Sequence, residues 1–513
     1  MSQAVLRAVG LATGLLSALL LAGNTALALK GSDFAELTPP GRRYRLPIAA
    51  AVGRYLEAEF PAARVKAAPP DAMDEYQERM AAAVAEAGIR PWQFWRTIPA
   101  APFLEDRVSF VVRPFEDPGR VVLLAAGFRA LRGIAPYLHF WLGALLCLPL
   151  LVWTAVELFD AGRPISGVVF PALVASSAYV VGALRLTYSS AGFYLAGLLL
   201  LVPWTVYAIL GRCRSRPLFA VRLALAAGFF AACALARSGT LFLLGGFLVA
   251  TVIAVLRLFQ DVGSRARRLA LCLAAGALFV APYALLREPQ HHDIWLSLWL
   301  GLGDFDRVKG HYWSDSEAKK VVRSYGEEWN GPRSEEIFRR LTTAHVREDP
   351  LWYGAILGRR AWATVSQRKL WPWGPRGGRS MEPRDRPNEG AIDDYYNLTP
   401  TADWFVVAAR RMEAPVTLLL LPTWLLALTW AALRMAGTCG EACRGAGRCL
   451  AVLGVLGICA LGVPVLVTTA GAIETEAFVL VYFLGLAFAL DEAAAAIKGR
   501  RRATAGPGGS VAA

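Results

Sequence analysis

The apolar residues of this chain come in long blocks broken by short polar stretches. About ten blocks of roughly 18–24 residues, the length a helix needs to cross a ~30 Å hydrocarbon core, lie near 6–29, 134–157, 166–187, 190–210, 217–236, 239–256, 269–286, 414–434, 450–469 and 473–490. Breaks fall at Arg, Gly and Pro, as in Gly211-Arg212-Cys213-Arg214-Ser215-Arg216-Pro217. Backbone in lipid must satisfy its own hydrogen bonds, and no strand-length alternation supports a barrel, so the blocks predict helices. The expected fold class is an all-α polytopic membrane protein with about ten transmembrane helices. Two pairs of blocks nearly touch, at 187/190 and 236/239, which leaves the count between nine and eleven. The first block, with Arg7 before it and Ala26-Leu27-Ala28 at its end, also fits a cleavable signal. Its near-spanning length favours an uncleaved anchor.

Two long polar segments, 30–133 and 287–412, interrupt the pattern. The layout is a first helix at 1–29, a first loop at 30–133 and six spans in 134–286. A second polar domain at 287–412, three spans in 413–490 and a tail at 491–513 follow. In the first loop, 71–88 predicts an alanine-rich helix with Asp71 as N-cap and Gly88 as stop. Met73, Tyr76, Met80 and Val84 share one face, and Asp71, Asp74 or Glu75, and Glu78 share another. Residues 48–60 predict a second helix, both lying along the membrane surface. A carboxylate held there can act as general base, or can simply solvate an amphipathic helix. Asp33, just after the first span, is a further acid.

Composition agrees with the block pattern. Hydrophobic residues make up 56% and charged residues 18%, and mean hydropathy is +0.41. Both fractions are on the membrane side of soluble averages. They exclude a soluble enzyme, a disordered chain and a secreted disulfide scaffold. The formal charge of +14 comes from 54 Lys and Arg against 40 Asp and Glu. The polar segments hold 31 of those acids yet carry a net charge of only +4, so the excess lies in the membrane body. With the N-terminus in the cytoplasm, 17 of the 19 basic residues of that body fall on the cytoplasmic side, as the positive-inside rule requires. The charge is thus a topology signal and gives no reason to expect a nucleic-acid partner. Both termini are expected inside and both polar segments outside. An Arg-over-Lys, Ala-rich composition points to a GC-rich bacterium, hence to an inner membrane with periplasmic loops.

The two exceptions, Arg185 and Arg237, sit at outer ends of predicted helices. Snorkelling to outer headgroups explains them. So does a phosphate site, most directly in Ala236-Arg237-Ser238-Gly239, where an Arg and a hydroxyl stand beside a helix start. The start of the second polar segment, His291-His292-Asp293 through Trp295, Trp299, Asp304, Asp306 and Lys309, mixes aromatics and acids. Such a mixture suits carbohydrate and equally suits an interface belt. Residues 335–368 predict helix and 374–390 a Gly/Pro/Arg-rich loop. No cofactor is certain: His291-His292-Asp293 and Asp393-Asp394 are the sites a divalent metal would use, but bland readings serve them better. None of the eight cysteines lies in an outer segment, which leaves no structural disulfide there. Cys439, Cys443 and Cys449 have poor zinc spacing and no His nearby.

The arrangement resembles the GT-C integral membrane glycosyltransferases, of the protein O-mannosyltransferase and lipid A aminoarabinose transferase type. Asp74-Glu75-Tyr76 is similar to the acidic start of that family's first-loop helix. Arg113-Pro114 with Leu123-Leu124 through Gly133 resembles the run entering its second span. Leu235-Ala236-Arg237-Ser238-Gly239 resembles its Thr-Arg-Pro element, and Trp295 to Asp306 a Trp/Gly-Leu-Gly stretch of bacterial relatives. The late Arg-Tyr of the family is replaced by Glu474-Thr475-Glu476-Ala477, and no Trp-Trp-Asp motif occurs.

The resemblance implies a GT-C-like fold, with interfacial helices in the first outer loop and a mostly helical outer domain. It implies a polyprenyl-phosphate-linked sugar as donor partner, in contact with membrane lipid, because nucleotide sugars stay in the cytoplasm. Asp74, Glu75 or Asp71 would be catalytic. Arg237, Arg185 and Lys309 would hold the phosphate; His292, Trp295, Asp304 and Asp306 would contact sugar or acceptor. The alternatives are an outer-face polysaccharide polymerase or ligase, which consumes diphosphate-linked glycans, and a transporter. A transporter calls for broken or polar helices at mid-membrane; the mid-span polar residues here are mostly small, such as Ser176 and Ser177, without charge pairs at that depth.

Overall fold

The computed structural model describes residues 2–30, 34, 45–60, 66–67, 72–104, 108–109, 119–185, 191–211, 215–261, 264–286, 294–303, 311, 315–329, 333–365, 441–467 and 477–504. They are almost entirely helical. The one named pairing of strands among them is a parallel contact of two residues each, Lys66–Ala67 beside Val108–Ser109. Among the described residues eight helices are long and apolar enough to cross a membrane, so this is a multi-pass membrane protein. The expected span 414–434 lies outside the described residues.

The first span, α1 (Gln3–Leu29), is followed by shorter helices, among them α2 (Arg45–Glu59), α3 (Ala72–Glu86) and α4 (Gly119–Leu131). The predicted helix at 71–88 is α3, and Gly88 ends it with φ +59, donating to Ala85 while Ile89 donates to Val84. Met80 and Val84 are buried and Glu78 is exposed, as the helical spacing requires. The helix expected at 48–60 is α2, which buries one face and leaves Glu57 and Glu59 exposed. Ile48, Ala49, Ala51 and Val52 are fully buried because α4 and α3 cover it. The Leu123–Gly133 run does not lead straight into a span. It forms α4, which stops at Arg132 (φ 56) and turns back through Gly133.

The central spans are α5 (Leu138–Asp160) and α8 (Ala191–Thr205, continued by a π-helical turn over Val206–Leu210). Small residues let α1 approach α5 closely. Gly10 and Gly14 lie one helical turn apart, and a methyl group at Gly14 would collide with the Val152 backbone. Between α5 and α8 the expected span 166–187 is two helices, α6 (Pro164–Ser176) and α7 (Ala178–Arg185). Ser177 takes an extended conformation (ψ 120) and its hydroxyl accepts from the Val180 N–H, capping α7. Asn24 of α1 donates to the Ala175 carbonyl freed at the break, at 2.8 Å. A backbone break in lipid is tolerated where such partners exist.

Next come α9 (Arg216–Ala236), a 3₁₀ turn over Ser238–Leu243 leading into α10 (Leu244–Leu258), and α11 (Arg265–Leu286). Outside the bundle, α12 (Ile294–Gly301), α13 (Asp315–Ser324), α14 (Ser334–Glu348) and α15 (Pro350–Val365) form a small helical unit. Its own core is Leu296, Trp299, Leu300, Leu302, Ala318, Val322 and Phe338. The expected helix 335–368 is divided at Asp349-Pro350, because Pro suits a first helical position and Asp349 accepts from Trp352 N–H. Two further helices, α16 (Glu441–Leu466) and α17 (Val479–Thr504), join the bundle. Arg360 of α15 is fully buried and donates to the carbonyls of Gly301 at 2.5 Å and Val465 at 3.0 Å. A cation at two helix C-termini is favourably placed, and it fixes the small unit to α16.

One end of the bundle is a rim of ion pairs. Arg7 meets Asp160 at 2.9 Å, Arg216 meets Asp261 at 2.5 Å, and Arg163 meets Glu492. The Arg216 hydrogen bond holds the Asp261 carboxyl below the usual carboxylate range. Asp491 accepts from the N–H groups of Ile165 and Ser166, capping α6. Arg257 donates to the carbonyls of Ala208, Ile209 and Gly211, closing the π-helical turn. A buried charge pair joins two of the spans: Glu157, 2% exposed, meets Arg222 at 2.6 Å and accepts from Trp153. It lies near the rim, away from mid-span.

Candidate functional site

The opposite end, where α1 and α9 finish and α5 begins, carries Arg237. The α9 helix stops there because Arg237 is extended (φ −150, ψ 106), and its N–H closes the last turn onto Cys233 at 2.8 Å. The 3₁₀ turn starts immediately, with Thr240 donating to the Arg237 carbonyl. A helix start presents N–H groups to any nearby anion. Arg237 and Ser238 are half-buried, and both interact with their surroundings.

Sequence reading missed what packs on this junction. Gly119 opens α4 directly against the backbone of Leu235, where any side chain would collide. The adjacent Arg120 is buried at 6% exposure. Its charge acts on His139, in the first turn of α5, which is 5% exposed. Neither ring nitrogen of His139 has a hydrogen-bond partner among the described residues. The junction therefore gathers Arg120 and Arg237, a histidine and a helix start. A single Arg inside an apolar run and a His hidden in a predicted span gave little signal. Arg237 was legible because it broke the positive-inside pattern.

The acids lie one layer away. Asp74 and Glu75 are in the first turn of α3, their side chains outside the described residues, as is all of Asp71. The α3 helix packs on α2, α2 on α4, and α4 on the end of α9, a continuous path from the acidic helix to Arg237. Arg129 of α4 meets Glu59 of α2 at 2.8 Å, and Tyr55 stacks edge-on against Phe128. Burial and the Glu59 carboxylate push the Tyr55 phenol above its ordinary range. Arg185 ends α7, its side chain outside the described residues. Lys309, His292, Asp304 and Asp306 also fall outside them.

Trp295 opens α12 half-buried against the core of the small unit, and its N–H donates to Glu335 at 3.0 Å. The aromatic cluster of that unit is elsewhere. His311 is buried with its ring 4.6 Å from that of His345, 5.7 Å from Trp299 and 6.0 Å from Trp352. Among the described residues no group of three or more His, Cys, Asp or Glu is placed to hold a metal. No family model, curated protein or solved structure matches the chain, so the GT-C resemblance rests on the short motifs and layout alone.

Proposed function

We propose that the protein is a GT-C-type membrane glycosyltransferase that moves a sugar from a polyprenyl-phosphate donor to an acceptor. We place the reaction at the outer face of a bacterial inner membrane, with both termini in the cytoplasm. The observation that carries this reading is the junction at Arg237. There a cation and a helix start follow closely on Leu235, against which Gly119 packs next to the buried Arg120, at the end of the bundle away from the ion-pair rim. An anionic phosphate at the top of a lipid-borne donor is the ligand that such a set favours.

In this reading the acceptor hydroxyl oxygen attacks the anomeric carbon. The bond from that carbon to the phosphate oxygen breaks, and polyprenyl phosphate leaves with the electron pair. The acceptor proton passes to Asp74 or Glu75 on α3, and the anomeric centre inverts. Arg237 stabilises the charge that grows on the leaving phosphate. Arg185 and Lys309 remain further phosphate ligands, and His292, Trp295, Asp304 and Asp306 sugar or acceptor contacts, within the same proposal. The test is transfer from radiolabelled polyprenyl-phosphate sugar by purified protein in liposomes. Asp74→Asn with Glu75→Gln should abolish transfer while protein yield in the membrane holds. Full activity of that double variant contradicts the assignment.

The break at Ser177 favours one competing reading. Discontinuous helices are a transporter feature, and here Asn24 and Ser177 stabilise one. Solute flux into proteoliposomes that Asn24→Leu eliminates, with no transferase activity in the parent protein, would decide for transport.

A further inference from the structure

Residues 90–96, Arg-Pro-Trp-Gln-Phe-Trp-Arg, form a compact double turn just after α3. Gln93 N–H donates to the Arg90 carbonyl, Arg96 N–H to the Gln93 carbonyl, and the Gln93 side chain accepts from Arg90 N–H at 2.8 Å. The turn carries a ladder of rings: Trp92 to Trp95 at 5.6 Å, Trp95 to Phe94 at 5.0 Å, and Phe94 to Trp141 of α5 at 4.9 Å. The inner rungs are packed, but Trp92 and Trp95 stand 48% and 47% exposed. Arg90 and Arg96 flank them, both exposed. So rigid a turn holding two large apolar rings in the open needs something to cover them.

The depth of the turn identifies the cover. Trp141 donates from its indole N–H to the Pro91 carbonyl at 2.9 Å. Trp141 is the fourth residue of a span whose mean hydropathy is 2.0, which puts it about 5 Å below the first at the helical rise. Ile98 also pairs with Ile134 just before that span begins. The ladder is therefore level with the start of the apolar belt. Indole rings with one polar edge and cations with long apolar stems are the chemistry of the bilayer interface. We propose that residues 90–96 are a phospholipid anchor. Trp92 and Trp95 enter the headgroup–acyl boundary, and Arg90 and Arg96 meet lipid phosphates. The turn follows α3 through the Gly88 stop, so it fixes the height of Asp74 and Glu75 above the bilayer. That last consequence rests on the glycosyltransferase reading; the anchor itself does not.

The test is spin-label accessibility in phosphatidylcholine–phosphatidylglycerol liposomes, using the full chain in a cysteine-free background. Labels at Trp92→Cys and Trp95→Cys should collide more with oxygen than with a water-soluble nickel chelate. A label at exposed Glu86→Cys should show the reverse. Nickel dominating at 92 and 95 overturns the anchor and indicates rings standing in water, as in a glycan-stacking platform. A second measurement needs no cysteine. In liposomes brominated high on the acyl chain, W92F/W95F should lose part of the lipid-quenched tryptophan emission of the parent protein. Unchanged lipid quenching overturns the anchor. Neither readout uses activity, so failure of the anchor and failure of the glycosyltransferase reading are distinguishable.

Discussion

The two ends of the bundle differ in what surrounds their charges. At the rim, Arg7, Arg163, Arg216 and Arg222 each meet an acid, and Arg257 and Asp491 cap backbone groups. At the other end Arg120 and Arg237 share a neighbourhood with a buried histidine whose ring nitrogens have no described partner. Buried polar groups are normally satisfied. The rim reads as a closed structure that locks helix ends together. In the proposed reading, the far end is where a phosphate from outside the chain binds.

That contrast can be broken by mutation. The largest stability effect is expected at Glu157→Ala, which strands Arg222 with 14% of its side chain exposed. Breaking such a buried pair costs about 3–5 kcal/mol, read as a loss of thermal stability in detergent. Replacing both partners by Leu and Met should recover most of it. Asp491→Ala removes the cap of α6 and should cost about 0.5–2 kcal/mol. At the far end, His139→Phe should leave stability unchanged or slightly raised, because an apolar ring replaces buried polar atoms that have no described partner. A large loss in that variant would mean that His139 is structural, and the comparison would fail.

Much of the fold was legible because lipid imposes one rule on every span. Eight of the expected blocks are long apolar helices, and Gly88 stops α3 as its type suggested. The break at Ser177 was not legible. A serine in an apolar run is compatible with continuous helix, and the partner that stabilises the break is Asn24, 151 residues from Ala175. The packing partners of α2 were not legible for a related reason: an alanine-rich helix carries no local sign of which neighbours will cover Ile48 and Val52, and here they are α4 and α3. The split at Pro350 followed a rule that the apolar pattern alone concealed. Of the site, Arg237 stood out through its place in the charge pattern. Arg120 and His139 did not, because α4 comes to rest on α9 through a contact between residues 119 and 235 that no local signal encodes.

The most direct measurement is native mass spectrometry of the detergent-purified protein before and after addition of polyprenyl-phosphate sugar, for the parent and Arg237→Ala. The account predicts a bound polyprenyl monophosphate in the parent that is lost in Arg237→Ala, while both proteins unfold at the same temperature. A diphosphate-linked oligosaccharide in its place, or no isoprenoid when other lipids are retained, would contradict it.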